Sequence, residues 1–505
     1  MATGAMPMRF DCRRVDVWPP LAWLARCRSG ADTVEVQHGA RVEVAPRWFC
    51  EAVWDGPYAA GDFDRTDLVC GSGGRLRDGA VTFVSAGNTV DRLQLLSRDG
   101  EHWISNSLAC LLAAVGGAVD PAYPHYFRDF SSIRHGLTRY APHLATSAGT
   151  VRLIYFDNVT WDGAGVAVTP KPPLRRDFGM YERYRGFLDD ALRRVVDNGR
   201  AAGRRHPLRL LGTISSGYDS PMVAVLGRAV GLRDVVSFDH GVGANSDSGQ
   251  EIADRLGLTV TVIPRDAWRR ETLPEVPFIA ADAKGEDVFL KGAEALLGGS
   301  LLLTGHYGGK IWSKETTDMG PDVARHDQSG LSLTEYRLRA GFIHCAVPFF
   351  GTRQAGDLSQ LSRSPALARW DIGGRYSKPI ARRVVEEAGV PRGAFGMRKK
   401  ASSVLFFHAT SFLTPAALAD YVPWLERHVA GRRPPPAWDR AVRGGVARAA
   451  RLIASTVPRA GRAGELLFRA ARRAAGWADR EPLFTWVFPW AMERAVGAYN
   501  GHPLA

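Results

Sequence analysis

The chain has 505 residues, 45% of them hydrophobic and 23% charged, which is typical of globular proteins and enough for two or three domains. An Arg-rich composition with a basic tail explains its net charge of +13 better than a nucleic-acid or acidic-membrane partner does. The sequence shows no apolar run of about 18 residues, no secretory signal pattern and no Cys-x-x-Cys pair. We therefore expect no membrane span and no common zinc or iron–sulfur site, and a cytoplasmic location with reduced thiols.

The first 172 residues are predicted to be rich in β-strands. Short strand-like runs are separated by Asp-Gly and Gly-Asn turns, and Asp99-Gly100 is typical of a hairpin. A short helix is predicted over Leu108–Val115, and the stiff Pro-Lys-Pro-Pro run at 170–173 marks the end of this domain. The predicted strands are Arg41–Val44, Val81–Ser85, Leu93–Ser97, Trp103–Ser105 and Val151–Phe156.

Residues 173–425 are predicted to form an α/β domain around a parallel sheet. After an amphipathic helix over Tyr181–Asn198, apolar residues come in compact runs with little alternation, as in strands buried on both faces. Ligands of such sheets bind at the carboxyl ends of the strands, so the loops at Ser215, Asp239 and Gly305 are expected to line one crevice. The predicted strands are Leu208–Thr213, Val235–Asp239, Thr259–Ile263 and Ser300–Thr304, and the helices between them Pro221–Val230, Ser248–Leu256 and Val288–Leu297.

Residues 426–505 are predicted to form a helical tail. A second Pro-rich run, Arg432–Pro436, precedes Arg- and Ala-rich segments. The aromatic run Leu483–Trp490 suits either a membrane surface or the protein's own core. We expect it to pack against its own domain, which is the commoner role of such a stripe.

The loop after the first parallel strand carries the clearest functional signal. Residues 215–220 read Ser-Ser-Gly-Tyr-Asp-Ser, a small polar turn at a helix N-terminus, where backbone N–H groups attract an anion. An acidic residue in an anion site is unfavourable without a cation, so Asp219 indicates Mg²⁺ beside phosphate. No Gly-Lys-Ser/Thr follows, which excludes a Walker A loop. The loop resembles the PP-loop of N-type ATP pyrophosphatases, Ser-Gly-Gly-x-Asp-Ser, with Ser216 replacing the first glycine.

The order of segments resembles the asparagine synthetase family, in which a glutaminase of N-terminal-nucleophile fold precedes an ATP-dependent synthetase domain. The resemblance implies a parallel-sheet PP-loop domain, adenine nucleotide alpha hydrolase-like, after a degenerate glutaminase-like domain. It also implies that Ser237, Phe238 and Gly305 contact the nucleotide. Besides the PP-loop, the similarity rests on the segments 92–107, 236–239, 248–257, 301–305, 376–383 and 395–400, within residues 80–405.

The chain departs from the family at the glutaminase nucleophile, a cysteine at position 2. It begins Met-Ala-Thr-Gly-Ala-Met, and Cys12 stands too far along the chain to take that role. We therefore expect no release of ammonia from glutamine. Lasso-peptide macrocyclases and β-lactam synthetases show the same loss, and in both a substrate amine replaces ammonia.

A second departure concerns the metal. The family's Gly-x-Gly-Ala-Asp-Glu loop is here Gly305-His306-Tyr307-Gly308-Gly309-Lys310, without the acidic pair. Three explanations stay open: Lys310 contacts the phosphates directly, the protein no longer hydrolyses ATP, or another carboxylate substitutes. The candidates for that carboxylate are Asp239, Asp247, Glu251 and Asp287.

The chemistry of an acyl-adenylate assigns roles to individual residues. It needs a phosphate site, a metal, a cation near the α-phosphate and a base for the amine. Lys399 or Lys400 is the expected cation, because the resembling β-lactam synthetases carry their catalytic lysine in this region. The candidate bases are Glu335, Tyr336 and His306. Glu335 could equally be a carboxylate that stabilises the first turn of a helix, and a single histidine in a loop, such as His306, more often has a structural role. The expected nucleotide site comprises Ser215, Ser216, Gly217, Tyr218, Asp219, Ser220 and Lys310, with Mg²⁺ held by Asp219 and Asp239.

One function is favoured over two alternatives. The favoured one is an ATP-dependent ligase that adenylates the carboxylate of a small molecule or peptide, releases pyrophosphate and couples the carboxylate to an amine, in specialised or peptide biosynthesis. A tRNA-modifying PP-loop enzyme is an alternative because of the net charge, and a non-catalytic scaffold because of the lost acidic pair. The sequence is compatible with a homo-oligomer.

Overall fold

The computed structural model describes residues 8–239, 247–316, 319–325, 327–374, 376–397, 413–429, 461–478 and 485–500, with a few residues between 438 and 453. Within them the protein belongs to the α/β class. Two sheets form a β-rich N-terminal region, a parallel sheet with helices follows, and helices come last. This order of parts confirms the coarse prediction from the sequence.

The two N-terminal sheets pack face to face. Large side chains fill the space between them, and Trp23 contacts both Phe49 and Phe83 with ring centroids 5.1 and 6.2 Å apart. The strands are β1 (Arg9–Arg14), β2 (Trp23–Arg28), β3 (Thr33–His38), β4 (Glu43–Ala45), β5 (Trp48–Trp54), β6 (Val69–Arg77), β7 (Ala80–Val84), β8 (Leu93–Arg98), β9 (Glu101–Ser105), β10 (His143–Thr146), β11 (Gly149–Ile154), β12 (Asn158–Trp161) and β13 (Val166–Thr169). One sheet has the order β1-β3-β2-β9-β8-β11-β10 and the other β13-β12-β7-β6-β5-β4.

The third sheet has five strands, and all its neighbours are parallel. They are β14 (Arg209–Thr213), β15 (Asp234–Phe238), β16 (Thr259–Ile263), β17 (Ser300–Thr304) and β18 (Ile343–Ala346), in the order β16-β15-β14-β17-β18. The four predicted strands are confirmed within one residue at each end. Strand β18 was not predicted, because it has only four residues and one of them is the buried His344.

Helices cover this sheet and connect the three regions. They are α1 (Leu108–Val115), α2 (Tyr126–Ser131), α3 (Tyr181–Gly199), α4 (Asp219–Ala229), α5 (Gln250–Leu256), α6 (Val276–Asp282), α7 (Glu294–Leu297), α8 (Gly308–Ile311), α9 (Thr334–Ala340), α10 (Ala355–Ser362), α11 (Pro379–Glu387), α12 (Pro415–His428), α13 (Gly461–Ala478) and α14 (Val487–Tyr499). The predicted helix at residues 108–115 is confirmed with the same bounds. Ser107 explains its start, since the hydroxyl accepts a hydrogen bond from Cys110 N at 3.0 Å.

A buried charge triad joins the N-terminal region to the parallel-sheet region. Arg337 of α9 donates hydrogen bonds to Glu51 (2.6 Å) and to Asp91 (2.7 Å). All three side chains are at most 3% exposed. Because charges so deeply buried are stable only when paired, this triad ties the two regions into one structure.

Helix α14, near the end of the chain, packs against the N-terminal region. Its Phe488 ring contacts Tyr126 and Phe130 of α2, with ring centroids 4.7 and 5.0 Å apart. Residues 486–490 are buried, which confirms that the described part of the aromatic run packs against the protein. In the part of the chain that the structure describes, no helix combines the length and the apolar character needed to cross a bilayer.

Candidate functional site

The loop that precedes α4 lies where the order of the parallel strands reverses. Strand β14 leads into this loop, and its neighbour β17 leads into the loop that begins at Gly305. Open parallel sheets bind ligands at this position, because two loops diverge there at the carboxyl ends of adjacent strands. Among the described residues, no side chain caps the first turn of α4. The arrangement therefore suits an anion at a helix N-terminus.

Hydroxyl groups of the loop hold its shape. The Ser215 and Ser220 Oγ atoms are 2.9 Å apart, and Gly217 N donates to Ser215 Oγ at 3.3 Å. The Ser216 hydroxyl donates to Asp247 Oδ1 at 2.9 Å. Asp247, one of the candidate substitute carboxylates, is thus buried against the loop that it supports.

Tyr218 anchors the loop to the segment that contains Gly396. The Tyr218 hydroxyl accepts a hydrogen bond from Arg382 Nη2 at 2.7 Å, and its side chain is fully buried. Gly396 has a φ of +64° and lies so close to the Tyr218 ring that a Cβ atom would collide with it. Gly396 N also donates to Ser216 O at 2.9 Å. Lys399 and Lys400 follow this contact directly but lie outside the described residues.

Asp219 forms an ion pair that the sequence did not predict. Lys378 Nζ lies 2.7 Å from Asp219 Oδ1 and 2.8 Å from Oδ2. The lysine side chain is 5% exposed and the aspartate side chain 26%, so the pair is open to solvent on the aspartate side. The residues are 159 positions apart, and no local pattern connects them.

Glycines after β17 let the backbone approach Asp219. A Cβ atom on Gly305 would be 2.6 Å from the carbonyl carbon of Asp219, and one on Gly308 would be 2.8 Å from its Cγ. Such distances are too short for any other residue without movement. The glycine-rich loop that lacks the family's acidic pair is therefore packed directly against the aspartate.

A second carboxylate, from Asp327, approaches the same place. The point where a Cβ atom on Gly309 would stand is 3.9 Å from Asp327 Oδ2, from Asp219 Oδ2 and from Lys378 Nζ. Asp327 Oδ1 accepts a hydrogen bond from Ser329 N at 3.1 Å, which orients the carboxylate. Asp327 was not among the carboxylates considered from the sequence.

The other candidate carboxylates are placed differently. Asp239 Oδ1 accepts a hydrogen bond from Arg265 N at 3.0 Å, and Glu251 is exposed on α5. Asp287 accepts hydrogen bonds from Gly330 N (2.9 Å) and the Ser332 hydroxyl (2.6 Å). Within the described ranges, no group of three or more His, Cys, Asp and Glu side chains is arranged to hold a metal ion. The predicted pair Asp219 and Asp239 belongs to no such group.

His306 lies in the predicted loop, and its role as a base stays a prediction. Burial, together with the charge of Arg325, lowers its pKa to about 4. Its Nδ1 atom is buried and has no hydrogen-bond partner among the described residues, and its ring centroid lies 5.1 Å from that of His344. The imidazole is therefore neutral at pH 7.

The remaining predicted nucleotide contacts are largely built into the core. The Ser237 hydroxyl accepts a hydrogen bond from Gly249 N at 3.0 Å, which fixes the entry to α5. The Phe238 ring packs edge-on against Phe289 at 4.7 Å. Lys310 is buried on the short helix α8, in the loop that faces Asp219.

The side chains of Glu335 and Tyr336 make their hydrogen bonds away from the loop at residues 215–220. The Glu335 carboxylate accepts hydrogen bonds from the Ser107 hydroxyl (2.7 Å) and from Leu108 N (3.0 Å), so it caps α1. The Tyr336 hydroxyl donates to Leu290 O at 3.3 Å, and its ring stacks on Phe278. Burial raises the pKa of both groups. These contacts favour structural roles, and the role of either side chain as a base stays a prediction.

A buried polar group lies behind the loop after β17. Lys284 pairs with Glu286 and donates to Gln328 Oε1 at 2.8 Å. Burial raises the pKa of Asp282 to about 7 and that of Asp287 to about 6. Of this group the sequence singled out only Asp287, because the members come from two separate segments.

Comparison with protein-family models gives no match for this chain, and a search of curated proteins gives none either.

Proposed function

We propose that the protein is an ATP-dependent ligase that adenylates a carboxylate and passes it to an amine, without hydrolysing glutamine. The observation that carries the proposal is the loop at residues 215–220, which places Asp219 and the first turn of α4 at the strand-order reversal of a parallel sheet. The PP-loop resemblance, and with it a PP-loop fold for residues 173–425, belongs to the same proposal.

In this proposal the loop and the N-terminus of α4 bind pyrophosphate. The loop is already held by the Ser215–Ser220 contact and by Asp247, so binding requires little ordering. Lys399 or Lys400 supplies positive charge near the reacting carboxyl. Gly396, three residues before Lys399 in the sequence, contacts the loop at Tyr218.

The carboxylates near Gly309 fit a magnesium site, since Mg²⁺ binds through one or two carboxylates together with phosphate oxygens and water. Asp219 and Asp327 would hold the ion, which neutralises phosphate charge when bound. A cation at Asp219 competes with the ammonium of Lys378. Lys378, if displaced, would supply a second positive charge beside the phosphates.

The test is ATP–pyrophosphate exchange with purified protein, Mg²⁺ and pooled carboxylic acids and peptides. Asp219→Asn is expected to reduce exchange at least about 100-fold, because it removes the charge that holds the metal. Asp234→Asn is the matched control, since this exposed aspartate lies at the opposite, amino end of β15. Equal exchange in both variants would refute the proposed site.

A non-catalytic scaffold is the second candidate, and one observation favours it. Lys378 already neutralises Asp219, and the loop from Gly305 to Lys310 has no carboxylate. Calorimetry with Mg·ATP separates the two functions. The ligase binds Mg·ATP and the Asp219→Asn variant binds it less tightly, whereas absence of both binding and exchange favours the scaffold.

A further inference from the structure

Most of the net charge is concentrated in one stretch of the chain. Residues 431–480 contain twelve arginines, two aspartates and one glutamate, a net charge of +9 within a total of +13. The proposed nucleotide site lies elsewhere, on β14, β17 and their loops. The basic character of the protein therefore has a source that the ligase proposal does not explain.

Exposed apolar side chains occur in the same stretch. On α13, Leu466 is 66% exposed and Leu467 54%. Trp438 (69%) and Val442 are also exposed, and lie four residues apart in helical positions. Adjacent exposed leucines on a charged helix are unusual for a surface that faces only water.

The helical period separates these residues into faces. At about 100° per residue, Arg469 and Arg473 lie on one side of α13, followed around the helix by Leu466, Ala470 and Leu467. All five are exposed. The buried residues Gly464 and Ala471 come next and face the protein. Helix α13 thus presents to its surroundings a face with two arginines, one of which (Arg469) pairs with Glu465, and an adjoining apolar face.

We propose that α13 lies on an anionic phospholipid surface. A helix parallel to a membrane places arginines at the headgroup level and leucines in the acyl boundary, which matches the two exposed faces. Nucleic acid would bind the arginines but offers no apolar phase for Leu466 and Leu467. The helix is about 27 Å long, enough for contact along the membrane plane.

The experiment uses the full chain and sedimentation with vesicles of phosphatidylcholine, with and without about 30% phosphatidylglycerol. We expect binding to the anionic vesicles, little binding to the neutral ones, and release at 0.5 M NaCl, since salt screens the headgroup charge. No binding to anionic vesicles, or equal binding to both kinds, would overturn the proposal. Retention of tRNA or polyglutamate without vesicle binding would overturn it as well.

Two double variants test the two faces. Leu466→Asn with Leu467→Asn, and separately Arg469→Glu with Arg473→Glu, should each lower the vesicle partition coefficient about tenfold or more. The matched controls, Met180→Asn with Val262→Asn and Arg228→Glu with Arg233→Glu, change exposed residues elsewhere and should bind as the original protein does. Unchanged binding of both α13 variants would exclude this helix as the contact. Circular dichroism verifies that each variant is folded.

Discussion

At the scale of single residues, Asp327 brings a second carboxylate towards the glycine-rich loop after β17. Its Oδ2 atom faces the same point as the Asp219 carboxylate, although it comes from a different segment. We predict that Asp327→Asn, which also ends the ion pair with Arg325, weakens binding of Mg·ATP about tenfold and leaves binding of metal-free ATP unchanged, because in the proposed site this carboxylate binds the metal and not the phosphates. Isothermal titration with and without EDTA measures both affinities, and an equal loss in the two conditions would contradict the assignment.

The buried carboxyl of Asp282 makes stability depend on pH. Its pKa is raised by burial from 3.8 to about 7, so between these values folded protein keeps a proton that the unfolded chain releases. The free energy of unfolding therefore falls as pH rises towards 7 and then levels off. Asp282→Asn has no proton to lose and keeps an oxygen for the N–H groups of Lys284 and Gly285.

We predict that the Asp282→Asn variant gains about 2–3 kcal/mol relative to the original protein between pH 5 and pH 7, from two pH units at 1.4 kcal/mol each. Urea unfolding at pH 5, 6, 7 and 8 provides the comparison. Parallel pH profiles for the two proteins would show that the Asp282 carboxyl ionises in the folded state as it does in water.

Individual residues also show which parts of a site can be predicted from the sequence and which cannot. The loop at 215–220 was found because its residues are contiguous and its chemistry is local. The partner of Asp219 was not found, since Lys378 meets it only through the fold. Glu335 was considered as a base because nothing near it in sequence reveals Ser107, 228 positions away, as its partner.

At the scale of elements, the glycine loop after β17 sets the width of the crevice. Gly308 is the first residue of α8, and a Cβ atom there would be 2.8 Å from both Asp219 and the Trp312 ring. We predict that Gly308→Ala reduces ATP–pyrophosphate exchange about tenfold by displacing Asp219, with a change in unfolding free energy below about 2 kcal/mol. Gly393→Ala, with open space around the new methyl group, is the control. Normal exchange in Gly308→Ala would show that Asp219 tolerates displacement.

Elements were more predictable than contacts, for a physical reason. Strands β14 to β17 are compact apolar runs between turn residues, and burial on both faces of a parallel sheet requires that pattern. The 3₁₀ helix over Val288–Ala293 followed by α7 was predicted as one continuous helix, because periodicity alone does not separate the two helix types.

At the scale of the whole molecule, the triad around Arg337 controls whether the regions stay together. We predict that Arg337→Met destabilises the protein by about 3–5 kcal/mol, because it leaves Glu51 and Asp91 buried without a counter-charge. Arg233→Met, at an exposed position before β15, is expected to change stability by less than about 0.5 kcal/mol. Denaturation followed by tryptophan fluorescence measures both, and similar values for the two variants would contradict a stabilising role of the triad.

The position of α14 has a consequence for the order of events during synthesis. The ribosome makes this helix after every strand of the three sheets, yet Phe488 fills the space against Tyr126 and Phe130, which were made more than 350 residues earlier. At a synthesis rate of about 5–20 residues per second, at least about 20 seconds pass between the synthesis of Phe130 and that of Phe488. During that interval the nascent chain carries an apolar surface that α14 has not yet covered.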